Sequence, residues 1–375
     1  MHRILSHVTG HQQRIIAMIR AFVECESPSD DSAALKRFKD LVASHAAKDS
    51  KIRAYPGGHL RLEFDLPGKK KSGQILALGH SDTVWPMGTL AAMPFRQEKG
   101  RLWGPGVLDM KSGLVFFLFA VRALRELDIP VARKVVLQIN SDEEVGSESS
   151  RPLTEEAAKA SVAVLVLEPG TGLEGKLKTA RKGVGDYTVV VRGRASHAGV
   201  DFTNGASAIL ELARQIEKIA GFTQIQRGVT VNPGVVSGGT RTNVVAAEAR
   251  AEVDVRVARM KDAAPLDRKF RALRPVDKRC SIEVSGGLNR PPMERSKGIQ
   301  ALFAKARALA RDLDVDLDES STGGGSDGNF TAALGIPTLD GLGGVGEGAH
   351  AVNESILVER IADRTALLAR LVASL

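Results

Sequence analysis

The sequence has few cysteines, few aromatic residues and no long apolar run, and each shortage excludes a class of protein. Cysteine occurs only at Cys25 and Cys280 in 375 residues, which excludes a disulfide scaffold and a cysteine-rich zinc module. Aromatic residues make up 4%, too few for a base-stacking platform, so we expect no nucleic-acid partner. The longest apolar run, 114–121, is far shorter than the ~18 residues that span a bilayer, so we expect no membrane partner.

The net charge of +8 is spread along the chain rather than gathered in one basic patch. Its densest cluster, 69–71, follows Pro67-Gly68 and is typical of a turn between strands. Arginine and glutamate interrupt the first apolar stretches, so no secretory signal is recognised. Isolated thiols are typical of a reducing compartment, and we therefore expect a cytoplasmic location.

The first part of the chain alternates short apolar strands with helices, a pattern that predicts an α/β fold with a mostly parallel sheet. The predicted strands are 59–66, 74–80, 134–140 and 162–167, and the predicted helices are 12–25, 32–47, 112–127 and 153–160. The last three strands are predominantly apolar, as expected for strands that are buried on both faces.

The middle of the chain has a different order, β-α-β-β-α-β, which is the ferredoxin-like α+β pattern. Its predicted elements are strand 185–193, helix 206–220, strands 229–236 and 242–257, helix 262–273 and strand 280–285. Two later helices, 299–313 and 357–375, are interpreted as returning to the first domain. We therefore expect one domain formed by residues 1–181 and 294–375, with residues 182–293 inserted as a second domain.

Ionisable side chains follow the buried strands or lie in glycine-rich loops. They are His80, Asp82, Asp109, Asp142, Glu143, Glu144, Glu168 and His350. The carboxyl ends of parallel strands meet at one edge of a sheet, where open α/β proteins bind their ligands. Because charged groups are costly to bury unless they are paired or bound to metal, this set predicts a metal site.

Imidazoles and carboxylates together suit zinc or another divalent first-row metal. The candidate ligands are His80, Asp109, Glu144, Glu168 and His350, too many for one tetrahedral site. Two metals about 3.5–4 Å apart that share one carboxylate would use all of them. Glu143 is then free to act as general base, and Asp82 can accept the second ring N–H of His80.

Six motifs resemble those of the dinuclear-zinc peptidases of family M20. They are GHSDTV (79–84), GPGVLDMKSG (104–113), NSDEEVG (140–146), EPG (168–170), GRASHAG (193–199) and GAH (348–350). The spacings of 29 residues from His80 to Asp109, 34 to Glu143 and 25 to Glu168 are most similar to those of the glutamate carboxypeptidase branch. The resemblance implies a zinc-peptidase-like catalytic domain and an inserted dimerisation or lid domain, and hence a homodimer.

The resemblance also implies the roles of the metal ligands. His80 and Glu168 would hold one Zn²⁺, and Glu144 and His350 the other. The carboxylate of Asp109 would bridge the two ions. The resemblance also implies a cis peptide bond between Asp109 and Met110. Co²⁺ or Mn²⁺ are substitutes that the ligand types do not distinguish from zinc.

The resemblance also implies which residues catalyse the reaction and which bind the substrate. Glu143 would be the base and proton shuttle, with Asp82 behind His80. His197 of the inserted domain would reach the partner subunit's active site and help stabilise the tetrahedral oxyanion. Asn243, Arg256 and Arg290 match positions that bind a substrate carboxylate, which an arginine fork can clamp by two parallel bonds.

The reaction implied is hydrolysis of an amide or peptide bond by a carboxypeptidase that releases a C-terminal amino acid, acidic and glutamate-like, from a peptide or an N-acyl amino acid. An N-acyl amino acid deacylase, similar to acetylornithine deacetylase or the desuccinylase, is the alternative. A non-catalytic member of the fold would lack a ligand or the base, and here all are present.

Two further motifs point elsewhere. Ser326 lies in a G-x-S-x-G motif, and Asp340 and His350 follow it in the order of an α/β-hydrolase triad. No buried strand leads into this serine, so a serine hydrolase is a distant alternative. The G-x-G-x-x-G run at 341–346 opens no predicted helix, and we interpret it as flexible backbone near His350 rather than as a dinucleotide site.

Overall fold

The computed structural model describes residues 3–375, which form two compact units. The first contains the chain as far as Ala180, Arg295–Thr322 and Ser326–Leu375. The second contains Arg181–Glu294 and Gly323–Gly325, so its longer segment begins and ends within one residue of the predicted insertion. Among the described residues, none of the helices combines the length and the apolar character that crossing a bilayer requires.

Helices occur throughout the chain. They are α1 (Arg3–Gly10), α2 (Gln12–Glu24), α3 (Ser32–Ala46), α4 (Thr89–Ala92), α5 (Ser112–Glu126), α6 (Arg151–Lys159), α7 (Ala208–Ala220), α8 (Met260–Arg271), α9 (Lys297–Arg311), α10 (Gly328–Ala333) and α11 (Ile361–Ser374). Of these, α7 and α8 belong to the second unit.

The strands are mostly short. They are β1 (Ser50–Ala54), β2 (Leu60–Phe64), β3 (Gln74–His80), β4 (Arg96–Glu98), β5 (Arg101–Trp103), β6 (Lys134–Asn140), β7 (Ser161–Val166), β8 (Leu177–Arg181), β9 (Gly183–Arg192), β10 (Thr230–Gly238), β11 (Glu248–Val257), β12 (Ser281–Arg290), β13 (Glu319–Thr322), β14 (Thr338–Leu339), β15 (Gly346–Glu347) and β16 (Ser355–Leu357).

A six-stranded sheet is the centre of the first unit, with the order β1-β2-β6-β3-β7-β14. The pairs β6-β3, β3-β7 and β7-β14 are parallel, and β1 and β2 are antiparallel additions at one edge. Helices cover both faces, so residues 75–78 of β3 are fully buried, as the apolar run predicts. The α/β fold class with a mostly parallel sheet is confirmed.

A small antiparallel sheet, β15-β16-β5-β4, joins the end of the chain to its first third. In it Ser355 lies opposite Trp103, and Leu357 lies opposite Arg101. This pairing places the loop before β16 beside the glycine-rich loop after β5.

The second unit has a four-stranded antiparallel sheet with the order β10-β11-β9-β12. Its elements follow the chain as β9-α7-β10-β11-α8-β12, so the predicted ferredoxin-like order is confirmed. Alternate residues of β9, among them Tyr187, Val189 and Val191, are buried in the core that α7 and α8 complete.

Element boundaries differ from the predictions at a few places. The predicted strand 242–257 begins only at Glu248, because the apolar residues before it pair with another loop instead of the sheet. There Val245 N–H donates to Ser196 C=O at 3.0 Å, and His197 and Val244 form an isolated bridge. The closing helix starts at Ile361 rather than at 357, and α1 is an unpredicted helix.

Candidate metal centre

Three parallel strands bring ionisable residues to one edge of the large sheet. His80 is the last residue of β3, Glu168 follows the end of β7 by two residues, and Glu143 and Glu144 follow β6 in a short 3₁₀ turn. Because β3, β6 and β7 run in the same direction, these residues meet at the carboxyl edge, as the sequence predicts.

Loops supply the other two candidate ligands. Asp109 ends a glycine-rich loop in which Gly106 has a φ of 72°, and a Cβ there would come within 2.8 Å of Thr83 Cγ2. The loop therefore requires glycine at this position. The Asp109–Met110 peptide bond is cis, as the resemblance implies. His350 lies in a second loop and has a φ of 61°.

The two carboxylate oxygens of Asp109 face two different histidines. Oδ1 lies 3.2 Å from His80 Nε2, and Oδ2 lies 3.2 Å from His350 Nε2. Glu168 Oε1 is 3.5 Å from His80 Nε2, and Glu144 Oε1 is 3.3 Å from His350 Nε2. The candidate ligands thus form two groups that share Asp109, and within each group the ligand atoms lie within 4.8 Å of one another.

This donor set fits two divalent cations. His80 Nδ1 lies 3.0 Å from the Asp82 carbonyl oxygen, which only accepts, so Nδ1 carries a hydrogen and Nε2 is the nitrogen available to a metal. Glu144 Oε1 is buried and makes no hydrogen bond, although His350 lies beside it. A cation between these atoms would satisfy them, because imidazole nitrogen and carboxylate oxygen are both good ligands for zinc.

The electrostatics of the cluster also favour cations. Close contacts with the carboxylates of Asp109 and Glu144, at 3.2 and 3.3 Å from its Nε2, raise the pKa of His350 to about 10. Burial alone would lower the pKa of His80, yet its contacts with Asp109, Asp82 and Glu168 outweigh burial and hold that pKa well above its usual value. The carboxylates therefore create a strongly negative potential that stabilises positive charge at this edge.

Asp82 makes different contacts from those predicted. Its backbone carbonyl, rather than its carboxylate, accepts the hydrogen bond of His80 Nδ1, and Oδ1 lies 3.5 Å from that nitrogen. The carboxylate instead accepts the backbone N–H groups of Glu143 and Glu144, at 3.2 and 3.1 Å, and the hydroxyl of Ser29 at 2.9 Å. Asp82 therefore fixes both the histidine and the turn that carries the predicted base.

Four predicted residues lie in the second unit. His197 is exposed, and its Nδ1 accepts the N–H groups of Gly199 and Val200 at 3.1 and 3.2 Å. The hydrogen of the neutral ring is therefore on Nε2, which is then a donor. Ala198 N–H donates to the Asn243 carbonyl at 3.0 Å, so the loops of His197 and Asn243 are neighbours.

The two predicted arginines have different surroundings. The Nε and Nη2 atoms of Arg256 bind both carboxylate oxygens of Asp254 at 2.7–3.0 Å, a contact that was not predicted. Arg290 is 5% exposed at the end of β12, and a Cβ on Gly325 would come within 2.8 Å of its Cδ. Carboxylate binding by both arginines stays a prediction.

Glu354 was not predicted to belong to the site. Its side chain is fully buried, and its carboxylate accepts hydrogen bonds from Trp85, Gly106, Leu108 and Asp109. The signal in the sequence is weak: one acidic residue stands directly before the short apolar strand β16. Its partners are about 250 residues away along the chain, at sequence separations of 245 to 269.

The two competing motifs have structural roles. Ser326 is fully buried and donates to Asp340 at 2.7 Å, whereas His350 faces Asp109 and Glu144, so no serine triad forms. The distant serine-hydrolase alternative is therefore wrong.

The glycine run 341–346 is not the flexible backbone that we predicted. Arg364 is 1% exposed and donates to the carbonyl oxygens of Gly341, Gly343 and Gly175. The run is fixed because a buried guanidinium binds its carbonyl groups.

Comparison with known families gives a match over most of the chain. The profile of peptidase family M20/M25/M40 matches residues 76–374. Carboxypeptidase G2 from Pseudomonas sp. (strain RS-16) is 31% identical over 375 residues, which cover 98% of this chain and 90% of that protein. Succinyl-diaminopimelate desuccinylase from Cereibacter sphaeroides is 27% identical and covers 95% of this chain and 97% of that protein.

Solved structures share the fold at lower identity. The aminopeptidase PepT from Bacillus cereus superposes with a TM-score of 0.77 at 23% identity, covering 96% of this chain and 98% of that chain. The Bacillus subtilis YXEP protein, described as a dinuclear metal binding peptidase from the M20 family, has a TM-score of 0.70 at 14% identity, covering 97% and 98%.

Proposed function

The chain belongs to peptidase family M20/M25/M40, and on that basis we propose that it is a dinuclear zinc carboxypeptidase that releases an acidic C-terminal amino acid from a peptide or an N-acyl amino acid. The observation that carries this proposal is the carboxylate of Asp109, whose two oxygens each face one of two histidine-containing ligand groups. A carboxylate shared in this way can hold two metal ions about 3.5–4 Å apart, the separation found in two-metal hydrolases.

The ligands divide between two positions. We assign His80 and Glu168 to the first metal position, Glu144 and His350 to the second, and Asp109 to both. When two Zn²⁺ ions, or Co²⁺ or Mn²⁺ as substitutes, are bound there, they supply a lowered pKa for the attacking water and polarise the carbonyl group.

Glu143 moves the proton in the proposed reaction. Its backbone N–H is held by the Asp82 carboxylate at 3.2 Å, which fixes the turn that also carries Glu144. From this place the Glu143 carboxylate takes the proton of the attacking water and gives it to the leaving amine nitrogen.

His197 and Asn243 serve the substrate in our proposal. His197 Nε2–H is directed away from the backbone amides that occupy Nδ1, so it donates to the developing oxyanion in the partner subunit's site. Asn243, Arg290 and the Nη1 atom of Arg256, which Asp254 does not bind, hold the C-terminal and side-chain carboxylates of the substrate.

A second candidate function is hydrolysis of N-acyl amino acids by a deacylase, and the 27% identical desuccinylase favours it. Both functions use the same metal ligands and the same base. They differ in which part of the substrate the pocket selects, the released amino acid or the acyl group.

A panel of X-Glu, X-Asp and X-Leu dipeptides and N-acetyl amino acids, each with and without a metal chelator, tests the proposal. We expect hydrolysis of X-Glu to be fastest, to disappear with chelator and to return with added zinc. Faster cleavage of X-Leu than of X-Glu would overturn the acidic preference. Cleavage of N-acetyl amino acids without cleavage of any dipeptide would favour the deacylase.

We further propose a homodimer that forms through the second unit. Strand β10 is at one edge of its sheet, and its last residues are exposed: Val235 and Val236 are 56% and 58% exposed. Ile209 and Leu210 at the start of α7 are also 48% and 55% exposed. An apolar edge strand of this kind favours pairing with a second copy, because it leaves backbone groups and apolar surface uncovered.

Val236→Lys should convert the dimer to a monomer, because it places a charge within the proposed apolar interface. Sedimentation velocity at micromolar concentration measures the change. Val276→Lys is the control, since Val276 is 66% exposed outside this edge. A Val236→Lys protein that stays dimeric would locate the interface elsewhere.

We also propose a cytoplasmic location. Cys25 and Cys280 are both free thiols, and Cys280 is buried. Thiols of this kind persist in a reducing compartment.

A further inference from the structure

The buried carboxylate of Glu354 is surrounded by hydrogen-bond donors. Its Oε2 accepts Trp85 Nε1–H at 2.8 Å and Gly106 N–H at 2.9 Å. Its Oε1 accepts Leu108 N–H at 2.9 Å and Asp109 N–H at 3.0 Å. All four partners donate, so both carboxylate oxygens act as acceptors in this site.

Glu354 joins the two loops that carry metal ligands. It follows His350 by four residues, and its own N–H donates to the Ala351 carbonyl at 2.9 Å, closing the turn after that histidine. The residue after it, Ser355, pairs with Trp103 in the small sheet. One side chain thus fixes the backbone of Asp109 relative to the loop of His350.

The two metal positions depend unequally on this link. His80 ends β3 and Glu168 follows β7, so the first position is held by hydrogen-bonded strands in the large sheet. His350 lies in a loop and Glu144 in a three-residue turn, so the second position has no strand to hold its ligands.

We propose that Glu354 is a positioning residue that maintains the second metal position by fixing Asp109 relative to His350. This inference rests on the proposed two-metal centre. It predicts that loss of Glu354 weakens one metal equivalent much more than the other, because the strand-held pair of His80 and Glu168 remains in place.

Glu354→Gln is the sharpest variant. It preserves the size of the side chain but places an amide NH₂ where two N–H groups already donate, whichever way the amide is turned. Buried donors left without an acceptor destabilise the loop. Trp85→Phe is the milder variant, since it removes one of the four hydrogen bonds and leaves the carboxylate in place.

Zinc retention measures the effect. Each zinc-loaded protein is dialysed against increasing chelator, and zinc per chain is measured by atomic absorption. The wild-type protein should retain two zinc equivalents at the chelator concentrations that remove zinc from the variant. Glu354→Gln should lose one equivalent at a chelator concentration about 10–100-fold lower and keep the other, the range typical of outer-shell partners of metal ligands.

A matched control and a folding check accompany the variants. Glu347→Gln alters an exposed glutamate of the same region, paired with Arg101 at 3.0 Å, and should bind zinc like wild type. Far-UV circular dichroism shows whether each protein is still folded after the chelator has removed its zinc. If Glu354→Gln does not fold, Trp85→Phe decides, and it should show a smaller loss of the same single equivalent.

Three results would overturn the inference. Unchanged retention in Glu354→Gln, or in Trp85→Phe where that variant decides, would show that the link does not act on the metal. Equal weakening of both equivalents in a folded protein would refute the selective effect on the second position. Fewer than two equivalents in wild type would overturn the proposed function as well, so the two failures are distinguishable.

Discussion

Replacing Glu143 with glutamine is expected to lower kcat by about 10³–10⁴-fold on any substrate that the wild-type protein hydrolyses. General acid–base catalysis contributes about 10²–10⁴-fold, and we place this residue at the upper end because it acts on both the attacking water and the leaving amine. Glutamine keeps the size and the backbone contacts of the residue, including the bond from its N–H to Asp82 at 3.2 Å, but it cannot accept the proton.

The metal content of this variant separates chemistry from binding. Glu143→Gln should retain two metal equivalents and a KM close to that of wild type, because we assign no metal to this side chain. Glu148→Gln, an exposed position five residues along, is the control and should keep full activity. Activity of Glu143→Gln within tenfold of wild type would show that another group moves the proton.

Asp109→Asn is expected to abolish activity and to release metal from both positions. Asp109 contributes one oxygen to each ligand group, and an asparagine amide offers only one oxygen and no charge. The loss of metal affinity should exceed the roughly 10–100-fold that removal of an outer-shell partner causes. Metal per chain after dialysis and residual hydrolysis are the two measurements.

The metal-free protein allows a second test of the role of Asp109, through the pKa of His350. Contact with this carboxylate is the largest cause that raises the pKa of His350 to about 10. In metal-free Asp109→Asn the pKa of His350 should therefore fall toward its usual value, so the imidazolium is lost at lower pH than in wild type. Titration of the histidine resonances by nuclear magnetic resonance measures this shift.

Asp128→Asn is the matched control for this variant. Asp128 is exposed and has a φ of 50°, a conformation that asparagine tolerates, so its metal content and activity should equal those of wild type. Two equivalents of metal bound at wild-type affinity by Asp109→Asn would contradict the shared-carboxylate arrangement.

The central strands and the candidate ligands could be proposed from the sequence because their signals are local. Residues 74–80 and 134–140 are predominantly apolar and end in polar residues, and β3 and β6 have these same bounds. Once parallel strands are expected, their carboxyl ends must meet, which brings His80, Glu144 and Glu168 to one edge. Asp109 and His350 were predicted from their glycine-rich loops, which have no periodic pattern.

The pairing of a segment was predicted least well where more than one partner was available to it. The apolar residues at 244–247 have the composition of a strand, yet they pair with the loop of His197. Similarly, the sequence did not predict that Arg256 binds the carboxylate of Asp254, two residues before it on β11. In both cases the partner is set by a contact in the folded chain, and amino-acid composition does not specify that contact.

The sequence by itself determined the fold class, the ferredoxin-like order of the second unit and the identity of the candidate ligands. Only the tertiary structure decided that Asp82 binds the 143–144 turn and that Glu354 fixes the loop of Asp109 from 245 residues away. The physical reason is that the buried apolar residues of a strand or helix recur at short intervals along the sequence, so they can be recognised there. A hydrogen bond between a buried carboxylate and backbone amides far away in sequence follows no such interval, and it exists only once the loops are brought together.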